Sequence, residues 1–144
     1  MSEDPPSAPR IEDEPAPDDV AFLEDRINEF NFERTGTWDA ALLAAFVRDP
    51  ADRIVAGIYG WTWGGCCDVR YLWVDPAHRG RGHGRRLLAA AEDEARRRGC
   101  RQVVLETHSF QAPEFYTRLG YDTIAAYPDY PAGHDKRFLL KRLA

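Results

Sequence analysis

The sequence predicts an α/β (α+β) protein with a mixed central sheet, and three observations lead to that class. Apolar runs of strand length alternate with longer segments whose apolar residues recur at helical spacing. Glycine and proline separate these segments, and one glycine-rich loop lies directly between a predicted strand and a predicted helix. The predicted order is β-α-α-β-β-α-β-α-β-β, a sheet of about six to seven strands flanked by about four helices.

The N-terminal third is predicted to hold one weak strand and two helices. Residues 9–14 have only a weak edge-strand pattern. A helix is expected to start at Asp18, a residue type favoured at the N-cap, because apolar residues then recur at helical spacing: Val20, Leu23, Ile27 and Phe30. A second helix is predicted from Trp38, ending before Pro50.

The middle of the chain is predicted as a hairpin, a loop and an amphipathic helix. Strands over residues 54–61 and 66–74 flank the turn at Gly64-Gly65. After the glycine loop comes a helix of about four turns that ends at Gly99. The remaining predicted elements are a strand, a short helix and two strands: residues 102–107, 112–119, 121–127 and 136–142.

Length and composition favour one domain with one core. The chain has 144 residues, of which 44% are hydrophobic and 30% charged. No apolar run approaches the ~20 residues that span a membrane, and the polar N-terminus has no apolar core of a secretory signal. We therefore expect a cytoplasmic protein without a membrane partner, with residues 1–8 as a flexible acidic, Pro-rich tail and 9–144 as one domain.

The loop HRGRGHGRR, His78 to Arg86, concentrates positive charge in a chain of net charge −5. Its glycines precede a helix, so that free backbone N–H groups and the helix dipole favour an anion such as a pyrophosphate. The P-loop pattern is absent, and the third glycine does not fit the dinucleotide fingerprint. Taken alone, the loop is equally consistent with a flexible surface connector.

Two motifs resemble those of the GNAT superfamily of N-acetyltransferases. The stretch LWVDPAHRGRGHGRRLL resembles motif A, (Q/R)xxGx(G/A) after a strand, with matches at Arg79, Gly82 and Gly84. The stretch FYTRLGY, residues 115–121, resembles motif B, usually FYxxxGF. The resemblance covers about residues 54–142. It implies a GNAT-like fold with a sheet splayed at the cofactor site, and transfer of acetyl from acetyl-CoA directly to an amine of a small molecule or peptide.

The resemblance also implies a set of coenzyme A contacts. Amides of the loop would bind the pyrophosphate, and the matching positions are Arg79, Gly80, Arg81, Gly82, His83, Gly84 and Arg85. A bulged strand would contact the pantetheine and polarise the thioester carbonyl through its backbone, at Leu72, Trp73 and Val74. Where many members carry an Asn that contacts the cofactor, this chain has Ser109, and Gln111 is the alternative donor.

Two catalytic roles follow from the same resemblance. Tyr116 matches the tyrosine that protonates the departing thiolate, a role that suits a hydroxyl protonated near neutral pH. Glu106 matches a glutamate that acts as the base on the amine in several members. His108, Asp68 and His134 remain alternatives for the base. A packed tyrosine that stabilises the short helix is the structural alternative for Tyr116.

The acceptor pocket is expected from the first two helices and the last strand pair. Its candidate residues are Phe30, Trp38, Tyr127, Asp129, Tyr130 and His134. Asp129 would attract a cationic acceptor, although core packing and a rigid proline loop explain these residues equally well. The cysteine spacing predicts no metal site. A non-catalytic CoA sensor and, with less support at pI 5.4, a nucleic-acid-binding module stay open, as does a homodimer.

Overall fold

The protein is described by a computed structural model that covers residues 3–144. Within them lie three α-helices, six strands and a single turn of 3₁₀ helix at Pro76–His78. We number the helices α1 (Pro17–Thr35), α2 (His83–Arg97) and α3 (Glu114–Arg118). The strands are β1 (Ala41–Arg48), β2 (Ile54–Trp63), β3 (Cys66–Val74), β4 (Gln102–His108), β5 (Asp122–Pro128) and β6 (Asp135–Arg142). No helix of this described part is both long enough and apolar enough to cross a membrane.

Two compact units make up the chain, and the first ends at Gly36. Its helix α1 starts at Pro17, one residue before Asp18, and its N-cap is Ala16 and not the predicted Asp18. Asp18 instead lies inside the first turn, where its charge favours the helix dipole. Gly36 ends α1 in a left-handed conformation. The strand predicted over residues 9–14 is not formed, and this segment is exposed coil.

The second unit, Thr37–Ala144, contains the whole sheet, in the order β1-β2-β3-β4-β6-β5. Only the β3–β4 pair is parallel, because α2 connects these two strands as a crossover. Helix α2 covers one face of the sheet with an apolar stripe. The core between them is built from buried residues that include Leu43, Ile58, Val69, Leu88, Val103 and Leu139.

The second predicted helix is wrong, because residues 41–48 form strand β1. The spacing of Trp38, Leu42, Phe46 and Val47 fits a helix. In the strand, however, every second residue faces the core: Leu43, Ala45 and Val47. Strand β1 pairs with β2 along its whole length. Backbone pairing with a neighbouring strand thus outweighs a local pattern that fits both structures. The sheet therefore has six strands, with three α-helices instead of about four.

The sheet splays between β3 and β4. These strands pair only from Cys66↔Gln102 to Val69↔Leu105. Beyond that point β3 stays bonded to β2, and β4 stays bonded to β6. An extra residue, Arg70, bulges from β3 between the pairs Tyr59↔Tyr71 and Gly60↔Val69.

The partner of this bulge on β2 has to be glycine. A Cβ on Gly60 would lie 2.0 Å from the carbonyl oxygen of Asp68. The close approach of the two backbones at Gly60 lets β3 bend away from β4. The same bend opens the gap between the two halves of the sheet.

Candidate active site

A cavity of about 840 Å³ occupies the splay between β3 and β4. Its walls come from both strands, the glycine loop, the start of α2 and the segment that leads into α3. The cavity brings together most of the residues predicted to bind the cofactor or to catalyse: Leu72, Trp73, Val74, Arg79, Gly80, Gly82, His83, Gly84, Arg85, Glu106 and Tyr116. Of the predicted cofactor contacts, Arg81 and Ser109 do not line it.

The glycine loop presents free backbone donors to this cavity. Gly80 and Gly82 both have positive φ, 76° and 83°, which turn the chain sharply into α2. No side chain caps the helix, and within the described residues nothing accepts a hydrogen bond from the backbone N–H groups of residues 80–85. These donors lie at the positive end of the helix dipole, so the loop is suited to bind an anion.

Two arginines brace the loop from within. The Arg86 guanidinium donates to the carbonyl of Arg81 at 3.0 Å and to Nδ1 of His83 at 3.1 Å. Arg79 donates through Nε to the carbonyl oxygen of Val74 at 3.1 Å. These contacts tie both ends of the loop to its neighbours, so the backbone donors are positioned before a ligand arrives.

The opposite wall is a free strand edge. From Arg70 to Val74, β3 pairs only with β2, so its other edge faces the gap. Leu72 and Val74 pack against the core, and the intervening Trp73 is about half exposed on the other face. Unpaired backbone groups on such an edge can pair with an extended, amide-rich ligand as a neighbouring strand would.

Tyr116 lies on α3 beside the loop, and its side chain is partly buried. Its ring meets the rings of Phe115 and Tyr121 edge-on, with centroids 5.1 and 6.0 Å away. The backbone N–H of Tyr121 also donates to the Tyr116 carbonyl at 3.1 Å. Burial raises the pKa of Tyr116 above its ordinary value, so its hydroxyl stays protonated at neutral pH and can donate a proton.

Glu106 lies at the wall of the cavity in an ion pair. Its carboxylate oxygen is 2.7 Å from the ammonium of Lys136 on β6. Asp68, on β3, is partly buried, and burial raises its pKa above the ordinary value for aspartate. The charge of Arg70 opposes this rise, whereas the charge of Glu106 adds to it.

The β5–β6 loop braces the segment after β4. The His108 ring stacks with the rings of Phe110, at 5.2 Å, and Tyr130, at 5.5 Å. Nδ1 of His108 lies 2.9 Å from the Tyr130 carbonyl oxygen, which can only accept, so Nδ1 carries the proton. Ser109 and Asp135 exchange two hydrogen bonds, of 2.9 and 3.0 Å.

This bracing bears on the contact for which Ser109 is the predicted residue and Gln111 the alternative. The Ser109 hydroxyl accepts from the backbone of Asp135 and does not line the cavity. Gln111 does line it, and its Oε1 accepts from the backbone N–H of His108 at 2.8 Å. The side-chain NH₂ group of Gln111 is thereby left to donate to a ligand.

None of the six predicted acceptor residues lines the cavity. Tyr130 and His134 lie behind its wall, where His134 meets Phe110 edge-on at 5.0 Å. Tyr127 packs on Phe138, and Asp129 lies in the β5–β6 loop with a positive φ. The other two are exposed: Phe30 on α1 and Trp38 before β1. Their role in acceptor binding stays a prediction.

Sequence reasoning missed several cavity residues, among them Arg70, Tyr71 and Phe110. It also missed Lys136, the partner of Glu106. The pairing of β4 with β6 is what brings Lys136 and Glu106 together, 30 residues apart in the chain. The only local indication of this pair in the sequence was that Glu106 and Lys136 are polar residues within predicted strands.

The chain is similar to known acetyltransferases. The family model for the GNAT family of acetyltransferases matches residues 7–121. Blasticidin-S acetyltransferase of Streptomyces morookaense is 45% identical over 104 residues, 69% of this chain and 74% of that protein. An acetyltransferase crystal structure from Bacillus cereus has a TM-score of 0.78 at 28% identity, covering 93% of this chain and 98% of its own.

A third likeness extends to the fold alone. A Bacillus anthracis protein described as a streptothricin acetyltransferase, solved with acetyl coenzyme A, has a TM-score of 0.63 at 18% identity. It covers 72% of this chain and 63% of its own length. The family match spans well over half of the chain and includes the glycine loop and the whole Tyr116 motif, residues 115–121. The chain belongs to the GNAT family of acetyltransferases.

Proposed function

We propose that the protein is an acetyl-CoA-dependent N-acetyltransferase that acts directly on an amine of a small molecule or peptide. The observation that carries this proposal is the cavity in the splayed sheet. One end presents free backbone N–H groups at a helix N-terminus, and Tyr116 and Glu106 line the same space. A binding module needs only the first feature, whereas acyl transfer to an amine needs an acid and a base as well.

The residues around the cavity fit both the charged pyrophosphate and the neutral pantetheine of coenzyme A. The N–H groups of residues 80–85 and the nearby arginines suit a pyrophosphate. The free edge of β3 suits the amides of pantetheine, and Gln111 supplies a side-chain donor where Ser109 does not. When bound, acetyl-CoA would supply the acetyl thioester between these groups.

The chain's own groups suit direct transfer. Glu106 would accept the proton that the attacking amine loses, and Tyr116 would donate a proton to the departing thiolate. Burial raises the pKa of the Cys67 thiol to about 12, and it also raises the pKa of Cys66 and Cys100. Because none of these thiols is activated as a nucleophile, a covalent acetyl-enzyme is not needed.

The name of one relative suggests the acceptor class. The protein compared above that is 45% identical to this chain is named for an antibiotic, blasticidin S. We infer that the acceptor is a small-molecule amine of the antibiotic type. Glu106, Tyr71 and Phe110 line the cavity, and we expect such a molecule to bind beside them.

The test has two stages. Calorimetric titration with acetyl-CoA should give saturable one-site binding, whereas ATP should bind much more weakly. A panel of amines that includes blasticidin S and streptothricin should then yield free CoA and an acetylated product by mass spectrometry. Lack of acetyl-CoA binding would overturn the cofactor assignment. Binding without turnover of any amine would favour a CoA sensor.

A further inference from the structure

Four charged side chains, which we call the charged cluster, lie where the sheet splays: Asp68, Arg70, Glu106 and Lys136. Asp68 and Arg70 belong to β3, Glu106 to β4 and Lys136 to β6. The cluster places two acids and two cations beside the cavity, and both Arg70 and Glu106 line it. The proposed reaction uses only Glu106, so the other three members need an account.

Lys136 makes the direct contact with Glu106. Its ammonium lies 2.7 Å from the carboxylate and 5.2 Å from the centre of the Tyr130 ring. No other cation of the described residues is paired with Glu106 within 4.0 Å. Arg70 lies farther off and stacks over the Trp61 ring at 5.5 Å.

The backbone around Lys136 holds this contact in place. In the β4–β6 register, Glu106 is opposite Phe138, so Lys136 lies two residues along the same face of β6. Asp135, the preceding residue, exchanges two hydrogen bonds with Ser109. These hydrogen bonds fix the start of β6 to the segment after β4. They therefore also fix the position of the Lys136 ammonium beside Glu106.

The charges around Glu106 oppose one another. The hydrogen bond to Glu106 raises the pKa of Lys136, and its nearby charge adds to the rise. The 2.7 Å contact between Lys136 and Glu106 brings two opposite charges together. Asp68 instead repels Glu106 through like charge, while Arg70 attracts Asp68. On β4 itself, His108 carries its Nδ1 proton toward the Tyr130 carbonyl.

We propose that Lys136 is a positioning residue that holds Glu106 at the cavity wall in its charged form against the repulsion of Asp68. In this role Lys136 sets the lowest pH at which the enzyme can take a proton from the acceptor amine. The inference rests on the proposed function, because it takes Glu106 as the base. Lys136 itself does not line the cavity and acts only through Glu106.

The test compares pH profiles of kcat/KM for Lys136→Met and Lys136→Arg at saturating acetyl-CoA. Loss of the cation should move the acid limb of Lys136→Met to higher pH by roughly half a unit to one unit, because the pair is partly exposed. Lys136→Arg keeps the charge and should restore the wild-type limb. On the descending part of the acid limb, a shift of this size makes Lys136→Met about three- to tenfold slower than wild type at the same pH.

Arg137→Met is the matched control. Arg137 is the next residue on β6, and it pairs with Asp135 at 3.0 Å instead of with Glu106. Its profile should overlay the wild-type profile. A Lys136→Met profile with an unshifted acid limb would overturn the inference. This holds even if the variant is slower at every pH and has a lower melting temperature, because that combination means that Lys136 has a purely structural role.

Glu106→Gln separates the failure of this inference from that of the proposed base. If Glu106→Gln abolishes the acid limb and Lys136→Met leaves it unshifted, the base assignment stands and only the role of Lys136 is wrong. If Glu106→Gln keeps the wild-type acid limb, Glu106 is not the base, and the inference falls with that assignment. Calorimetry with acetyl-CoA on each variant tests cofactor binding independently of both results.

Discussion

At the scale of single residues, both the backbone conformation and the neighbouring Arg86 side chain disfavour any side chain at Gly82. Its φ is +83°, and a Cβ there would lie 2.8 Å from Nη1 of Arg86. A branched side chain would both strain the backbone and displace the guanidinium that braces the loop. Glycine is therefore favoured here by its backbone conformation, and any side chain would also displace the Arg86 guanidinium, within the row of free N–H groups of residues 80–85.

We predict that Gly82→Val weakens acetyl-CoA binding by at least about tenfold, from backbone strain of roughly 1–2 kcal/mol and loss of the braced loop. Calorimetry measures the change. Gly99→Val is the matched control, since Gly99 has a φ of +81° at the opposite end of α2, with open space around it. Equal affinities for Gly82→Val and wild type would contradict the loop assignment.

Tyr116 carries a second prediction at this scale. Tyr116→Phe should lower kcat by roughly 100-fold, because it removes the hydroxyl that we propose donates a proton to the thiolate. The dissociation constant of acetyl-CoA should change less than about twofold, since the ring packing is kept. Tyr59→Phe, which removes a hydroxyl outside the cavity lining, should leave both quantities unchanged.

The pH dependence gives a further check on Tyr116. Burial raises its pKa, so the protonated hydroxyl persists through neutral and mildly alkaline pH and is lost only above the ordinary tyrosine range near 10. Between about pH 8 and 9.5 deprotonation of Tyr116 should therefore cause no loss of rate. A steep fall of the wild-type rate in that window, absent from Tyr116→Phe, would mean that the hydroxyl has a lower pKa than its burial implies.

At the scale of elements, α2, β6 and the start of β5 are joined by a buried polar network. Glu92 of α2 is only 7% exposed. It accepts from the Tyr121 hydroxyl at 2.7 Å and from the Lys141 ammonium at 2.9 and 3.2 Å. Because Tyr121 also packs on Tyr116, this network fixes α3 relative to the helix that carries the glycine loop.

We predict that Lys141→Met lowers the free energy of unfolding by about 2–4 kcal/mol, since it leaves the buried Glu92 carboxylate without its cation. Urea denaturation measures the loss. The double variant Lys141→Met/Glu92→Gln should recover much of it, because glutamine is neutral and can still accept from Tyr121. Additive losses in the double variant would mean that the pair is not coupled.

Elements also mark how far the sequence alone could lead. The strand–loop–helix around Gly82 was predictable because glycine positions and apolar spacing are local signals. Strand β1 was not, since Leu42 and Phe46 fit a helix until pairing with β2 is known. The contact of Lys136 with Glu106 depends on which strands are neighbours, and that information is not local.

At the scale of the whole molecule, the sheet consists of two halves, β1-β2-β3 and β4-β6-β5. Four residue pairs join them, from Cys66↔Gln102 to Val69↔Leu105. A ligand in the cavity touches both halves, so its binding energy adds to the stability of the folded chain. Local patterns predicted strands β2 to β6 but not β1, while the splay itself came from the family resemblance.

We predict that acetyl-CoA at about 100 times its dissociation constant stabilises the protein by roughly 2.7 kcal/mol. For a chain of 144 residues this should raise the melting temperature by about 8 °C. Differential scanning calorimetry measures the shift, and Gly82→Val at the same ligand concentration should show a much smaller one. An unchanged melting temperature for the wild type would contradict binding in the cavity.

The bulge at Arg70 has a consequence for solubility. A strand edge with unpaired amides is normally a place where another polypeptide can add and begin aggregation. The bend opposite Gly60 creates two such edges in the middle of the sheet, and both face inward on a cavity that the glycine loop and Tyr116 partly enclose. We therefore expect these edges to form hydrogen bonds with a small extended ligand more readily than with a second polypeptide.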